Sequence, residues 1–277
     1  MPLSVRRLLA LLPLIVLLGA APAPPGRIVS LNVCADQYLA VLADPGQIAA
    51  LTIFSRDPRV SAIAARAARL PQTRGSAEDL LTLRPDVLLG DPYRLAQLEP
   101  LLAKRPVVAI GLKPADSYAE IKDQVRTVAR AIGHPDRGEA LIAAMDARLA
   151  RLRHDAGRGR VAAYYQRRGY LTGTGTLVDE LMRRVGLVNI AQRLGRPVLA
   201  SVGIEELALA RPDFLVVEED SGRIVDQGTE MLHHPVLAAI PRLEIPQAWT
   251  VCGGPAYVWA AERLTRLLER TDKLRRR

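Results

Sequence analysis

The stretch SAEDLLTLRPDVLL, residues 76–89, returns as GIEELALARPDFLV at residues 203–216. Aligned from Glu78 and Glu205, an offset of 127 positions, six of twelve pairs are identical: a glutamate, a leucine, an arginine, a proline, an aspartate and a second leucine. Each copy predicts a short helix that Arg-Pro must end. The residue before proline is driven out of the helical region, and the proline ring cannot continue the hydrogen-bond ladder. The aspartate then opens an unbroken apolar run that suits a parallel strand buried on both faces. The chain thus carries one helix-strand unit twice, which predicts an α/β fold of two similar lobes with mainly parallel sheets.

The flanking sequence repeats the same order. On the N-terminal side, RIVSLN (27–32), QIAALT (47–52) and PVVAI (106–110) read as strands. Between them, helices are expected at 34–42, over RVSAIAARAARL (59–70) and over RLAQLEPLLAK (94–104). From 117 to about 152 the alternation stops, with two helical segments and no strand. The second is long enough, at about 25 Å, to join the lobes as a stiff rod. Beyond it come a strand at VAAYY, helices at TLVDELMRRV and IEELALA, a strand at FLVVEE, another at 243–245 and a closing helix from Pro255 to about Leu268. The expected domains are an N-terminal lobe over 27–133, a long rigid connecting helix over 135–155, a C-terminal lobe over 159–270 and a basic tail over 271–277.

Residues 1–23 read as a cleaved secretory signal: Arg6 and Arg7 precede an apolar run from Leu8 to Leu18 and then small residues. That run is short for a membrane span, so the expectation is a soluble protein of the periplasm. Net charge is +9, but only 4 of the 38 basic residues are lysine, and several lie in the signal and the tail. With no zinc finger, aromatic RNA-binding strand or sustained basic helix, nucleic acid is excluded as a partner. No HExxH, CxxC, GxSxG or P-loop is present, and TGTGT (172–176) lacks the third glycine of a dinucleotide loop. The histidines, His134, His154, His233 and His234, are scattered, so neither a metal site nor a resident cofactor is expected.

Glu78 and Glu205 sit in the first turn of their helices, where free amides and the helix dipole favour a carboxylate. Ser76 with Asp79 spells a capping box. Spacing alone leaves two readings open, a capping role and a functional pair of exposed acids.

Taken together, the secretory start, the two αβ lobes, the helical seam and the repeated E-x6-P-D unit resemble the periplasmic binding proteins of ABC importers for cobalamin, iron-siderophores and haem. The resemblance runs from RIVSLN to the closing helix. It implies a monomeric, non-enzymatic protein with a helical backbone between the lobes, capturing a metal chelate and delivering it to an ABC permease dimer. It implies that Glu78 and Glu205 dock onto permease arginines. By motif match it puts Phe54, Tyr170 and Trp249 beside the ligand, with Arg56 and Arg74 on the same cleft-side loops and Arg167 and Arg168 just before Tyr170. Those arginines lean the expectation toward a carboxylate or catecholate iron-siderophore, with cobalamin close behind. Haem-binding members are the alternative, although LPQTRGSA (70–77) lacks the ligating tyrosine they carry there.

Cys34 opens the first helix of one lobe and Cys252 precedes the last helix of the other. Three readings stay open: a disulfide tying the lobes, two thiols that touch the ligand, and unrelated structural cysteines. A rival of another class is a secreted α/β enzyme whose cleft uses Asp36 or the cysteines.

Overall fold

The computed structural model describes residues 25–103, 105–219, 224 and 226–275. The proposed signal segment and residues 276–277 of the expected tail lie outside them.

In the first lobe β1 (Ile28–Ser30) leads into α1 (Val33–Leu42), whose start is capped by Asn32 Oδ1 accepting from the Ala35 amide at 2.7 Å. Next come β2 (Ile48–Thr52), α2 (Ala64–Ala67), β3 (Gln72–Thr73), α3 (Ala77–Leu83), β4 (Val87–Gly90), α4 (Pro92–Leu102) and β5 (Val108–Gly111). The strands form one parallel sheet in the order β3-β2-β1-β4-β5. Apolar side chains fill both of its faces, with Ile28, Val87 and Leu89 on one side and Val29 and Leu88 on the other.

The helix expected over 59–70 shrinks to the four residues of α2. The preceding segment is taken up by turns closed on the Asp57 carbonyl by the amides of Val60 and Ser61. Arg56 binds the carbonyls of Ala67 and Leu70 beyond it, at 3.3 and 2.8 Å.

The seam is a pair of helices, α5 (Tyr118–Ala131) and α6 (Pro135–Ala150). Both cross from one lobe to the other. Val125, Val128 and Ala129 of α5 and Ile142 of α6 enter the first lobe's core, while Tyr118, Ile121, Met145 and Leu149 enter the second's. Gly138 permits their close approach, since a β-carbon there would stand 2.6 Å from that of Ala129. The connector therefore differs from the single rod over 135–155. It is doubled, and α6 stops at Ala150, where three-residue hydrogen bonds from the amides of Arg151 and Leu152 tighten the last turn. At the far end His134 and Arg137 bind Gln47 and Asp44, fastening the pair beneath α1.

The second lobe has β6 (Val161–Gln166), β7 (Tyr170–Thr172), α7 (Leu177–Arg184), β8 (Val188–Asn189), α8 (Ile190–Arg193), β9 (Leu199–Ser201), α9 (Ile204–Ala210), β10 (Phe214–Glu218), α10 (Gln227–Glu230), β11 (Arg242–Ile245) and α11 (Tyr257–Arg275). Its sheet runs β11-β10-β6-β7-β9, with β8 beside β6. Here β7 runs antiparallel to both of its neighbours, β6 and β9, which the αβ alternation did not predict. α11 continues to Arg275, so residues 271–275 are helix rather than tail. Asp272 accounts for this by accepting from Arg160 Nη1 at 2.8 Å, which ties the last turns to the start of β6.

The repeat is visible in the backbone. α3 and α9 have the same length, and each ends on an arginine in the left-handed region, Arg84 (φ 45°) and Arg211 (φ 48°), directly before its proline. That is the expected helix stop, reached twice.

Asp36 is fully buried and accepts from the Thr52 amide at 3.0 Å and the Thr52 hydroxyl at 2.5 Å, joining α1 to β2. Burial outweighs these bonds and pushes its carboxyl from 3.8 up to about 6. The protonated form is favoured by the fold, so its contribution is complete below pH 4 and is lost as pH rises through about 6; the whole change corresponds to about 3 kcal/mol. Asp36→Asn should therefore gain stability over the unaltered protein as pH rises from 4.5 to 7.5, by about 2 kcal/mol in urea titrations. A difference that does not vary with pH would disprove this.

Candidate functional site

The carboxyl ends of the strands in both lobes face one another, the usual place for a ligand in open α/β sheets. Between them lies a cavity of about 360 Å³. The first lobe contributes Pro114, Ala115 and Asp116, on the chain between β5 and α5. The second contributes Tyr164 and Gln166 from β6, Thr172 from β7, Thr176, Leu177 and Val178 at the start of α7, Glu218 at the end of β10, and Gln247, Thr250, Val251 and Gly253 on the way into α11.

Strand alternation explains the β6 pair. Val161, Ala163 and Tyr165 enter the core on one face, so Ala162, Tyr164 and Gln166 stand on the other. Gln166 pairs with Tyr170 across the ladder, and its Nε2 donates to Thr172 Oγ1 at 3.2 Å. Thr176 caps α7 by accepting from the Asp179 amide at 3.2 Å, while its hydroxyl donates to the Gly173 carbonyl.

The lining is polar and acidic. Among the described residues, two carboxylates, two amides and four hydroxyls line the space, and none is basic. The Tyr164 hydroxyl lies 3.0 Å from Thr250 Oγ1. Burial, and then the charge of Glu218, push its phenol above the ordinary tyrosine range. Among the described residues no group of three or more His, Cys, Asp or Glu could hold a metal ion, and no helix is long and apolar enough to cross a membrane.

None of the five residues expected beside a ligand lines this cavity. Phe54 is 57% exposed on the turn after β2. Arg56, on the same turn, is engaged with the carbonyls near α2. Arg74 follows β3, with its amide donating to Asp79 and its guanidinium exposed. All three follow the carboxyl ends of β2 and β3, on the edge of the first lobe that faces the cleft but outside the cavity's lining. Tyr170 is 42% exposed on the same face of β7 as Thr172, next to the cavity. Trp249 is half-buried against the second lobe's core, edge-on to Trp259 with ring centres 5.9 Å apart. Arg167 pairs with Asp226. The groups that do face the cavity, Asp116, Gln166, Glu218 and Gln247, were missed. Three of them lie at or just after a strand's end, which was the usable signal.

Glu78 and Glu205 are exposed in the first turns of α3 and α9. A hydrogen bond from its own amide, then the Ser76 hydroxyl, hold the Glu78 carboxyl below its usual range. The caps differ. Ser76 and Asp79 form a capping box, whereas Gly203 gives α9 no side-chain cap. What the two copies share is the exposed acid.

Cys34 and Cys252 are joined in a disulfide between the lobes, 218 residues apart in sequence, with Cα atoms 5.3 Å apart. Neither they nor the buried Asp36 offers a free reactive group to the cleft.

A family model described as "Periplasmic binding protein" matches residues 28–243. Among solved structures, the periplasmic heme-binding protein of Roseiflexus sp. RS-1 in apo form is 26% identical, with TM-score 0.69, covering 87% of this chain and 97% of that one. The periplasmic vitamin B12 binding protein of Vibrio cholerae is 20% identical, with TM-score 0.67, over 90% and 99%. A protein of an ABC-type Fe3+-hydroxamate transport system from Saccharomonospora viridis DSM 43017 is 19% identical, with TM-score 0.64, over 88% and 93%. No curated protein matches the sequence.

Proposed function

The chain belongs to the periplasmic binding protein family, and on that footing we propose that its cavity captures a metal chelate and that Glu78 and Glu205 present the loaded protein to an ABC permease. It is a solute-binding protein and not an enzyme. The similar proteins named above bind heme or vitamin B12, or belong to an Fe3+-hydroxamate transport system, which supports a chelate as cargo.

The observation that carries the ligand's class is the charge of the lining. Among the described residues, Asp116 faces the space with amides and hydroxyls, and no arginine or lysine lines it. Anionic catecholates and carboxylates are repelled by such a wall, and a neutral or cationic ferric chelate is drawn to it. This moves the choice among iron-siderophores from the anionic kinds, suggested by the cleft-side arginines, to hydroxamates. Corrinoids come second, because the cavity is compact. A haem reading is favoured by the 26% identical relative. Against it stands the raised, hydrogen-bonded phenol of Tyr164, a poor iron ligand.

Quenching of Trp249 and Trp259 fluorescence should saturate with ferric desferrioxamine B, a cationic hydroxamate, more tightly than with cyanocobalamin, haem or a ferric tricatecholate. The substitution Asp116→Asn should cut the preference for the hydroxamate over the tricatecholate severalfold. Tighter binding of the tricatecholate would refute the charge argument, and binding of no chelate would refute the function.

Replacing Glu78 and Glu205 together by alanine should leave chelate affinity unchanged and abolish uptake in cells or in vesicles containing the cognate permease. Lost affinity with intact coupling would show that these acids belong to the cleft.

A further inference from the structure

The segment from Val251 to Gly254 belongs to the second lobe in sequence, but the first lobe holds it. Cys252, 2% exposed, is bonded to Cys34 at the start of α1. The Tyr38 hydroxyl, one turn further along α1, donates to the Gly253 carbonyl at 2.6 Å. Gly253 is pressed onto the first lobe so closely that a β-carbon there would lie 2.5 Å from that of Ala115. Val251, Gly253 and Ala115 all line the cavity. One wall of the ligand space is thus made where the lobes are joined covalently.

Gln37 supplies a second, independent observation. It is 1% exposed, both polar atoms of its amide lack a hydrogen-bond partner among the described residues, and it faces Gly254 across a gap that a β-carbon there would narrow to 3.7 Å. An unpaired buried amide works against the packed arrangement, because opening the segment would let water reach it. The covalent bond holds the wall closed against that tendency.

We propose that Cys34, Cys252 and Tyr38 are positioning residues of the ligand cavity, and that the disulfide makes chelate retention depend on redox state. This rests on the binding function argued above. Cys34 is only partly buried while Cys252 is buried, so an external dithiol meets the Cys34 side of the bond first. The dithiol attacks it as a thiolate and the Sγ–Sγ bond breaks, with Cys252 leaving. A second exchange closes the reductant into its own disulfide, so two electrons and two protons leave two protein thiols. The lobes stay together through α5 and α6, while the segment from Val251 to Gly254 is released and the cavity loses one wall.

The test compares the oxidised protein, the protein reduced and alkylated under native conditions, Cys34→Ala/Cys252→Ala and Tyr38→Phe. Each is probed with ferric desferrioxamine B by stopped-flow quenching and by hydrogen exchange of the peptide covering 250–257. The bridge-free forms should release the chelate at least tenfold faster at a similar association rate, and the peptide should exchange faster without ligand. Tyr38→Phe, which keeps the disulfide, should release it about fivefold faster, as expected for one lost hydrogen bond. Equal release rates in all forms, with only the melting temperature lowered, would reduce the disulfide to a structural brace and overturn the proposal. If the oxidised protein binds no chelate, the binding function fails, and hydrogen exchange alone decides: an unchanged 250–257 peptide overturns the positioning role.

Discussion

The contact of Gly138 with Ala129 is what the architecture turns on. It brings α5 and α6 close enough to behave as one strut, and the two ends of that strut are built into different cores. Bending the strut would pull Val125 and Val128 from one core or Met145 and Leu149 from the other, and packed interiors resist such displacement. The width of the cleft is therefore set by helix packing. Strand crossovers, which hinge easily, play no part at the seam. A small, nearly preformed cavity follows, which suits a protein whose task is to bind a solute.

Much of the architecture was legible because it rests on local rules that the chain states twice. Arg-Pro-Asp after a short amphipathic run has one cheap solution, and both copies take it, down to the left-handed arginine. The strands buried on both faces read directly as apolar runs. Elements that depend on distant partners were not legible. The helix expected over 59–70 keeps only Ala64–Ala67, because turns on the Asp57 carbonyl take up its start and Arg56 holds carbonyls at and beyond its end, contacts that no periodicity announces. The antiparallel β7 and β9 are three residues each and far apart in sequence, so their pairing is a tertiary outcome. The closing helix outruns its apolar pattern because Asp272 is held by two ion pairs, from Arg158 and Arg160.

The site was harder to read than the fold for a related reason. Aromatic and basic residues attract attention in a sequence, yet here Trp249 serves the core and Arg56 serves the backbone. The cavity is lined by ordinary residues, glutamine, threonine and isolated acids, whose meaning comes from their position at strand ends. Charge in the cleft could not be inferred from an overall excess of arginine, because guanidinium groups engaged with carbonyls or carboxylates outside the cavity contribute little to its field.

The bond between Cys34 and Cys252 also changes what kind of object the polypeptide is. It closes a ring spanning 218 positions, so most of the described chain lies inside a covalent loop. A protease that cuts once anywhere within that ring leaves one molecule, its fragments still linked and its lobes still interlocked by the strut. In an environment rich in proteases, a single loop cleavage would then be a scar that the protein can carry while remaining in one piece.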